Sequence, residues 1–153
     1  MGANVSKECW KCGAPHKKPR SLSDHRRLFG LVKAAFQHWP ESSEFQPHDE
    51  EHLRKWLTCA AGHREVVQTL EMPETGDPAL TAALMEFAEQ LLELDNRFGR
   101  WRGQTLAIYE AKSISWETLG QNEFARIREE IEHVIETETG MRAADLLKAS
   151  EAA

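Results

Sequence analysis

Cys9-Trp-Lys-Cys12-Gly13 is the densest group of reactive side chains in the sequence. Two thiolates separated by two residues can clasp one zinc ion through a tight turn, and Gly13 tolerates the positive φ such a turn uses. A closed structural site takes four ligands, and the chain has no second Cys-x2-Cys. Cys59-Ala-Ala-Gly-His63 supplies a thiolate and an imidazole close together, with Gly62 releasing the chain from helical geometry. The predicted zinc set is therefore Cys9, Cys12, Cys59 and His63, with His16 in reserve. The competing reading makes Cys59 a small buried hydrophobe and His63 a loop imidazole. Three cysteines is an odd number, and MGANVSKECW lacks an apolar signal region, so no disulfide framework is expected.

His48-Asp-Glu-Glu-His52 has the outline of a zinc-protease motif, but Asp49 stands where the general base should be glutamate, and no third ligand follows at a suitable interval. This segment is expected to open a helix instead, with Asp49 and Glu50 favouring its dipole. No glycine-rich phosphate loop, nucleophile elbow or Ser/His/Asp pattern is present. The run Glu129-Glu130-x-Glu132 reads as the solvated face of a helix. The chain is accordingly expected not to be an enzyme, with a metal-dependent nuclease as the remaining catalytic reading.

A different chemistry is suggested by the cations. Lys17, Lys18, Arg20, Arg26, Arg27 and Lys33 crowd the start of the sequence, where guanidinium groups and helix N–H groups can neutralise phosphates. Arg100-Trp101-Arg102-Gly103, in a predicted loop, places an aromatic face between two cations, an arrangement suited to stacking on a base. The plainer view is that these arginines keep helices soluble and Trp101 edges the core. The formal charge of −6 hides a division. Residues 1–35 carry eight bases and two acids, a balance of +6, and the other eleven bases and 23 acids leave −12 beyond them. A polyanion would be confined to the basic part.

These side chains need elements to position them. Leu28, Leu31, Val32, Ala35, Phe36 and Trp39 recur at helical spacing after Ser21 or Ser23, either of which can cap; Pro40 closes this helix, and Arg26, Gly30, Lys33 and Gln37 form its outer side. A second helix holds Leu53, Trp56, Leu57 and Ala60 and ends at Gly62. Residues 65–71 read as a strand. Asp77-Pro78 begins a third helix, whose Leu80, Leu84, Phe87, Ala88, Leu91 and Leu92 are expected to form a buried stripe ending near Phe98-Gly99. A second strand covers 105–109, a fourth helix about 121–138, and a short fifth 143–149.

The fold class predicted is α+β, with four to five helices dominating, a small antiparallel β element, and a zinc knuckle at the N-terminus. Residues 1–20 form the basic cysteine-containing segment, 21–150 a single domain, and 151–153 a frayed tail. Hydrophobic residues at 41% and charged ones at 29% suit a soluble chain with a real core, and no run approaches the length of a membrane helix. A cytoplasmic location, with no membrane partner, is expected.

Arg20-Ser-Leu-Ser-Asp-His-Arg-Arg-Leu-Phe29 resembles the opening helix motif of the phage NinB/Orf recombination proteins and related prophage proteins. Phe45–His63 looks like the second block of the prophage relatives. Lys112-Ser-Ile-Ser-Trp116 with Asn122-Glu-Phe124 and the stripe to Gly140 looks like their C-terminal block. The resemblance covers about two-thirds of the chain in short blocks. It implies a phage accessory protein that binds single-stranded DNA, helps load a recombinase, and is a homodimer, in the host cytoplasm. Arg20, Arg26 and Arg27 carry over as DNA contacts.

The leading expectation is thus a nucleic-acid-binding protein preferring single strands. The alternative, from another class, is a small phage protein that binds a host protein of defence or replication through the acidic surface around Glu129–Glu138.

Overall fold

The computed structural model describes residues 22–115 and 118–152. Five helices and three strands follow in the order α1 (Leu22–Gln37), α2 (Glu50–Ala60), β1 (Arg64–Glu71), α3 (Pro78–Leu94), β2 (Phe98–Arg102), β3 (Thr105–Ala111), α4 (Gln121–Thr139) and α5 (Ala143–Glu151). The class is α+β, as the sequence pattern predicts, and the strands form one antiparallel sheet in the order β1-β3-β2. The segment predicted to form a knuckle, with Cys9, Cys12, His16, Lys17, Lys18 and Arg20, lies outside the described residues.

The core belongs to α1, α2, α4 and α5. Leu28, Leu31, Val32 and Ala35 turn inward from α1, as their spacing requires, and meet Leu53 and Leu57 of α2. Phe124, Ile127, Ile131 and Ile135 enter from α4, and Ala143 and Leu146 from α5. Burying each large aliphatic side chain contributes about 1.5–3 kcal/mol. The outer side of α1 is narrower than predicted. Gly30 is half-buried, and a Cβ placed there would lie 3.7 Å from Leu147 Cδ2, so α5 packs against this point.

Asp49 starts α2 in extended geometry, and its Oδ1 accepts the His52 backbone N–H at 2.7 Å. The helix ends in a Schellman motif: the Gly62 N–H donates to Cys59 O and the His63 N–H to Thr58 O. Gly62 has φ +86°, the left-handed conformation that glycine adopts without a Cβ penalty. The chain then leaves directly into β1.

Two expectations are corrected here. Arg100-Trp101-Arg102 is a strand rather than a loop, because β3 supplies a ladder for it: Arg100 pairs with Ala107, Trp101 with Leu106 and Arg102 with Thr105. Gly103-Gln104 makes the two-residue connection, with Gly103 at φ +59°. The third helix stops at Leu94, short of Phe98, and does not bury its stripe. Among the described residues, α3 contains no fully buried side chain, since it packs on a narrow sheet and not on the helical core. Leu80, Phe87 and Leu91 are about half exposed (48%, 58% and 49%) and Leu94 is 81% exposed.

α5 also runs on to Glu151, within the tail expected to fray. No described helix is long and apolar enough to cross a membrane.

Candidate nucleic-acid interface

The sheet has two unlike faces. Paired residues of antiparallel strands project to the same side. Leu106, Ile108 and Trp101 therefore share one face with Leu70, and Leu106 and Ile108 are buried. α3 lies over this face: the Trp101 indole N–H donates to Glu89 Oε1 at 2.8 Å. A Cβ on Gly99 would come within 2.8 Å of Leu92 Cδ1 and 2.7 Å of Leu106 Cδ1, so a larger residue there would have to push these two side-chain ends aside.

The opposite face carries Thr105, Ala107 and Tyr109 of β3 down the middle, with Arg100, Arg102 and Phe98 on one side and Thr69, Glu71 and Val66 on the other. α2 covers the Phe98 end, where His52 stacks on the Phe98 ring, and the Thr105 end is open. Arg100, Arg102, Thr69 and Glu71 are exposed, and the three β3 residues are half-buried. At one end Arg64 places its guanidinium 4.8 Å from the centre of the Tyr109 ring. Arg100 and Arg102 thus border an uncharged central row that is closed at its far end by Arg64, whose Nη1 also donates to Cys59 O of α2 at 3.3 Å. This is a surface on which phosphates can be neutralised and planar groups can lie flat.

The other predicted cations sit elsewhere. α1 packs on α2, α4 and α5, whereas β2 packs on β3 and α3, so Arg26, Arg27 and Lys33 do not join Arg100 and Arg102 in one patch. Arg26 and Lys33 are exposed. Arg27 is engaged: its Nε donates to Glu132 Oε1 at 3.0 Å, the same oxygen that Arg128 Nη1 reaches at 2.9 Å. Trp101 stands on the face opposite its two arginine neighbours, half-buried beneath α3.

Cys59 is buried in α2, and burial pushes its thiol up to about 11. His63 Nε2 lies 3.1 Å from Ser113 O, so it carries the proton and leaves Nδ1 as the ring nitrogen open to a metal. Among the described residues no three His, Cys, Asp or Glu side chains form a group that could hold a metal ion. The motif at His48 behaves as expected for a helix start. The His48 ring stacks on His52 with centroids 4.0 Å apart. Asp49 is held below the ordinary carboxylate value, first by the His52 backbone N–H.

Two features escaped sequence reasoning. The open sheet face depends on pairings that residue types alone do not specify, although Gly103 followed by one residue is a turn signal that would have exposed the β2–β3 hairpin. The second is a cleft of about 500 Å³ bounded by α2, α3 and the start of β2, lined by Phe45, His52, Trp56, Glu86, Glu93 and Phe98 among others.

No family model, curated protein or solved structure matches this chain.

Proposed function

We propose that this protein is a non-enzymatic nucleic-acid-binding module that takes a single strand across the open face of its sheet. The observation that carries the reading is the row Thr105–Ala107–Tyr109, bordered by the exposed Arg100 and Arg102 and capped by Arg64. The basic segment holding Lys17, Lys18 and Arg20, with Arg26 and Lys33 of α1, supplies a second electropositive region. Repulsion by the acidic remainder limits non-specific contact. The resemblance to NinB/Orf proteins gives the context: a phage accessory factor in recombination.

The homodimer is proposed to form through α3. Leu80, Leu84, Phe87, Leu91 and Leu94 recur at alternating four- and three-residue spacing, the pattern of a coiled-coil seam. Thr81, Ala83, Ala88 and Gln90 flank it and are uncharged, so two copies meet without like-charge repulsion at the seam edges. The zinc proposal is separate. Cys9 and Cys12 would take His63 through Nδ1, while Cys59 joins only by losing a proton that burial makes hard to lose. About one zinc per chain in elemental analysis, lost in the Cys9→Ser/Cys12→Ser variant, is the expected result.

The test of partner class is fluorescence anisotropy with a labelled oligothymidylate over a range of salt. Affinity should fall steeply with ionic strength, and Arg100→Ala/Arg102→Ala should weaken binding more than Arg26→Ala/Lys33→Ala. No binding at low salt would end this reading.

A further inference from the structure

β1 is an edge strand whose free side is open. In the order β1-β3-β2 it has one neighbour, and all of its residues except Leu70 are exposed. Two hydrogen bonds at the ends of the β1–β3 ladder show which backbone groups are left over. The Met72 N–H donates to Gln104 O at 2.8 Å, and the Lys112 N–H to His63 O at 3.1 Å, so both of these pairs are of the bonded kind. Bonded and non-bonded pairs alternate along an antiparallel ladder. Counting inward from each end, Glu65, Gln68 and Leu70 direct their N–H and C=O groups to β3, whereas Arg64, Val66, Thr69 and Glu71 turn theirs to the free side. No described residue bonds to those outward backbone groups.

The spacing of the four outward residues selects a partner. A regular strand presents an outward residue at every second position. Here the β-bulge at Val67 inserts an extra residue, so the steps from Arg64 to Val66, to Thr69 and to Glu71 are two, three and two. A strand of regular spacing matches only part of such an edge, which is how bulges keep foreign strands away. The steps read the same in both directions. An antiparallel copy of β1 therefore meets all four positions, bulge facing bulge, with Arg64 opposite Glu71 and Val66 opposite Thr69, each twice about a two-fold axis.

The residue types agree with that register. A guanidinium–carboxylate pair closes each end, and two pairs of β-branched side chains fill the middle. Directly opposite residues project to the same side, and all four belong to the open face. The two open faces thus become one side of a six-stranded sheet. α3 does not obstruct this, because it packs on β2 at the other edge.

We propose that the β1 edges of two copies pair in this register when the copies lie side by side on a single strand of nucleic acid. The proposal rests on the sheet face as the binding surface and adds cooperative occupation to it. A contact confined to one strand edge is small beside the roughly 1,200 Å² of a stable complex, and the bound strand supplies the local concentration that the edge needs. Dimers made through α3 then join one another through β1.

The test is fluorescence anisotropy with labelled oligothymidylates of about 10 and about 60 nucleotides, the shorter sized for one sheet face. The wild type should bind the longer one with a sigmoidal isotherm and roughly tenfold higher affinity per site. Glu71→Arg sets like charges together at both ends of the paired edge and should bring that ratio to about one. Arg64→Glu should do the same. An equimolar mixture of these two variants should recover most of the ratio, since each edge then complements the other. Arg64 and Glu71 also border the sheet face, so the ratio is taken within each variant and a change in intrinsic affinity cancels. Thr69→Pro removes an outward N–H, leaves the bonds to β3 in place, and should also abolish the ratio. A ratio near one for the wild type, an undiminished ratio in Glu71→Arg or Thr69→Pro, or a mixture as poor as its components would each overturn the proposal. If no oligonucleotide binds at all, the sheet-face reading fails, and sedimentation equilibrium near millimolar chain concentration judges the edge alone. Association of the wild type that Glu71→Arg lacks upholds the pairing, and identical masses overturn it.

Discussion

Trp101 Nε1 and Glu89 Oε1 are 2.8 Å apart, and this bond links the edge strand β2 to α3. The acceptor is a carboxylate and the indole is half-buried, so the bond is charge-assisted. It fixes which way Trp101 faces, and hence that its neighbours Arg100 and Arg102 project to the other side. A residue read from sequence as a base-stacking group thereby holds a helix onto a sheet.

Trp101→Phe should keep most of the packing and lose the hydrogen bond, at a cost of about 1–2 kcal/mol in urea denaturation. Affinity for oligothymidylate should stay within a factor of about two, since no phosphate contact is removed. Loss of binding with an unchanged melting curve would return Trp101 to the binding surface.

The exposed stripe of α3 gives an expectation about mass. Light scattering after gel filtration should find twice the chain mass for the wild type and a monomer for Leu91→Glu/Leu94→Glu. Leu91 is 49% and Leu94 81% exposed, so the change should spare the protomer fold, as a retained far-ultraviolet spectrum would show. A wild type that is monomeric at high micromolar concentration rules the seam out.

Asp49→Ala removes the side chain that caps α2. The expected loss is about 1 kcal/mol, the usual value for an N-cap Asp, measured by chemical denaturation. Asn at this position should restore most of it. A loss near zero would show that the stacked imidazoles of His48 and His52 hold the helix start unaided.

Stability should also fall as acid is added. Burial holds His52 below its ordinary value of 6.5, with the nearby positive charge of His48 adding to this and Glu93 and Asp49 opposing it. The unfolded chain then binds the proton more readily than the folded one. The stabilising contribution is therefore complete above 6.5 and fades as pH drops below it. His52→Phe should have a flatter profile of melting temperature between about pH 7 and pH 5 than the wild type. Parallel profiles would remove His52 from the acid response.

Much of the helical core was legible in residue spacing. Leu28, Leu31 and Val32, or Phe124, Ile127, Ile131 and Ile135, leave little choice about which side of a helix faces inward. Periodicity predicts an apolar stripe equally well on α3, yet it cannot say what, if anything, covers that stripe. The same limit applies to β2. Arg100, Trp101 and Arg102 have no apolar alternation of their own and become a strand through pairing with β3. His52 was recognised only as part of a helix start, because its burial depends on Phe45 and Phe98, which are distant in sequence from one another.

The strand order β1-β3-β2 has a consequence during synthesis. The strand at the centre of the sheet is the last of the three to be made. At about 5–20 residues per second, roughly one to three seconds separate the appearance of Leu94 from that of Ala111. Throughout that interval β1 has no neighbour, and the leucine-rich α3 has no sheet to rest upon. A growing polypeptide arrested between these residues should be the form that chaperones hold most tightly. Release should follow once β3 has emerged and the ladder closes on both sides at once.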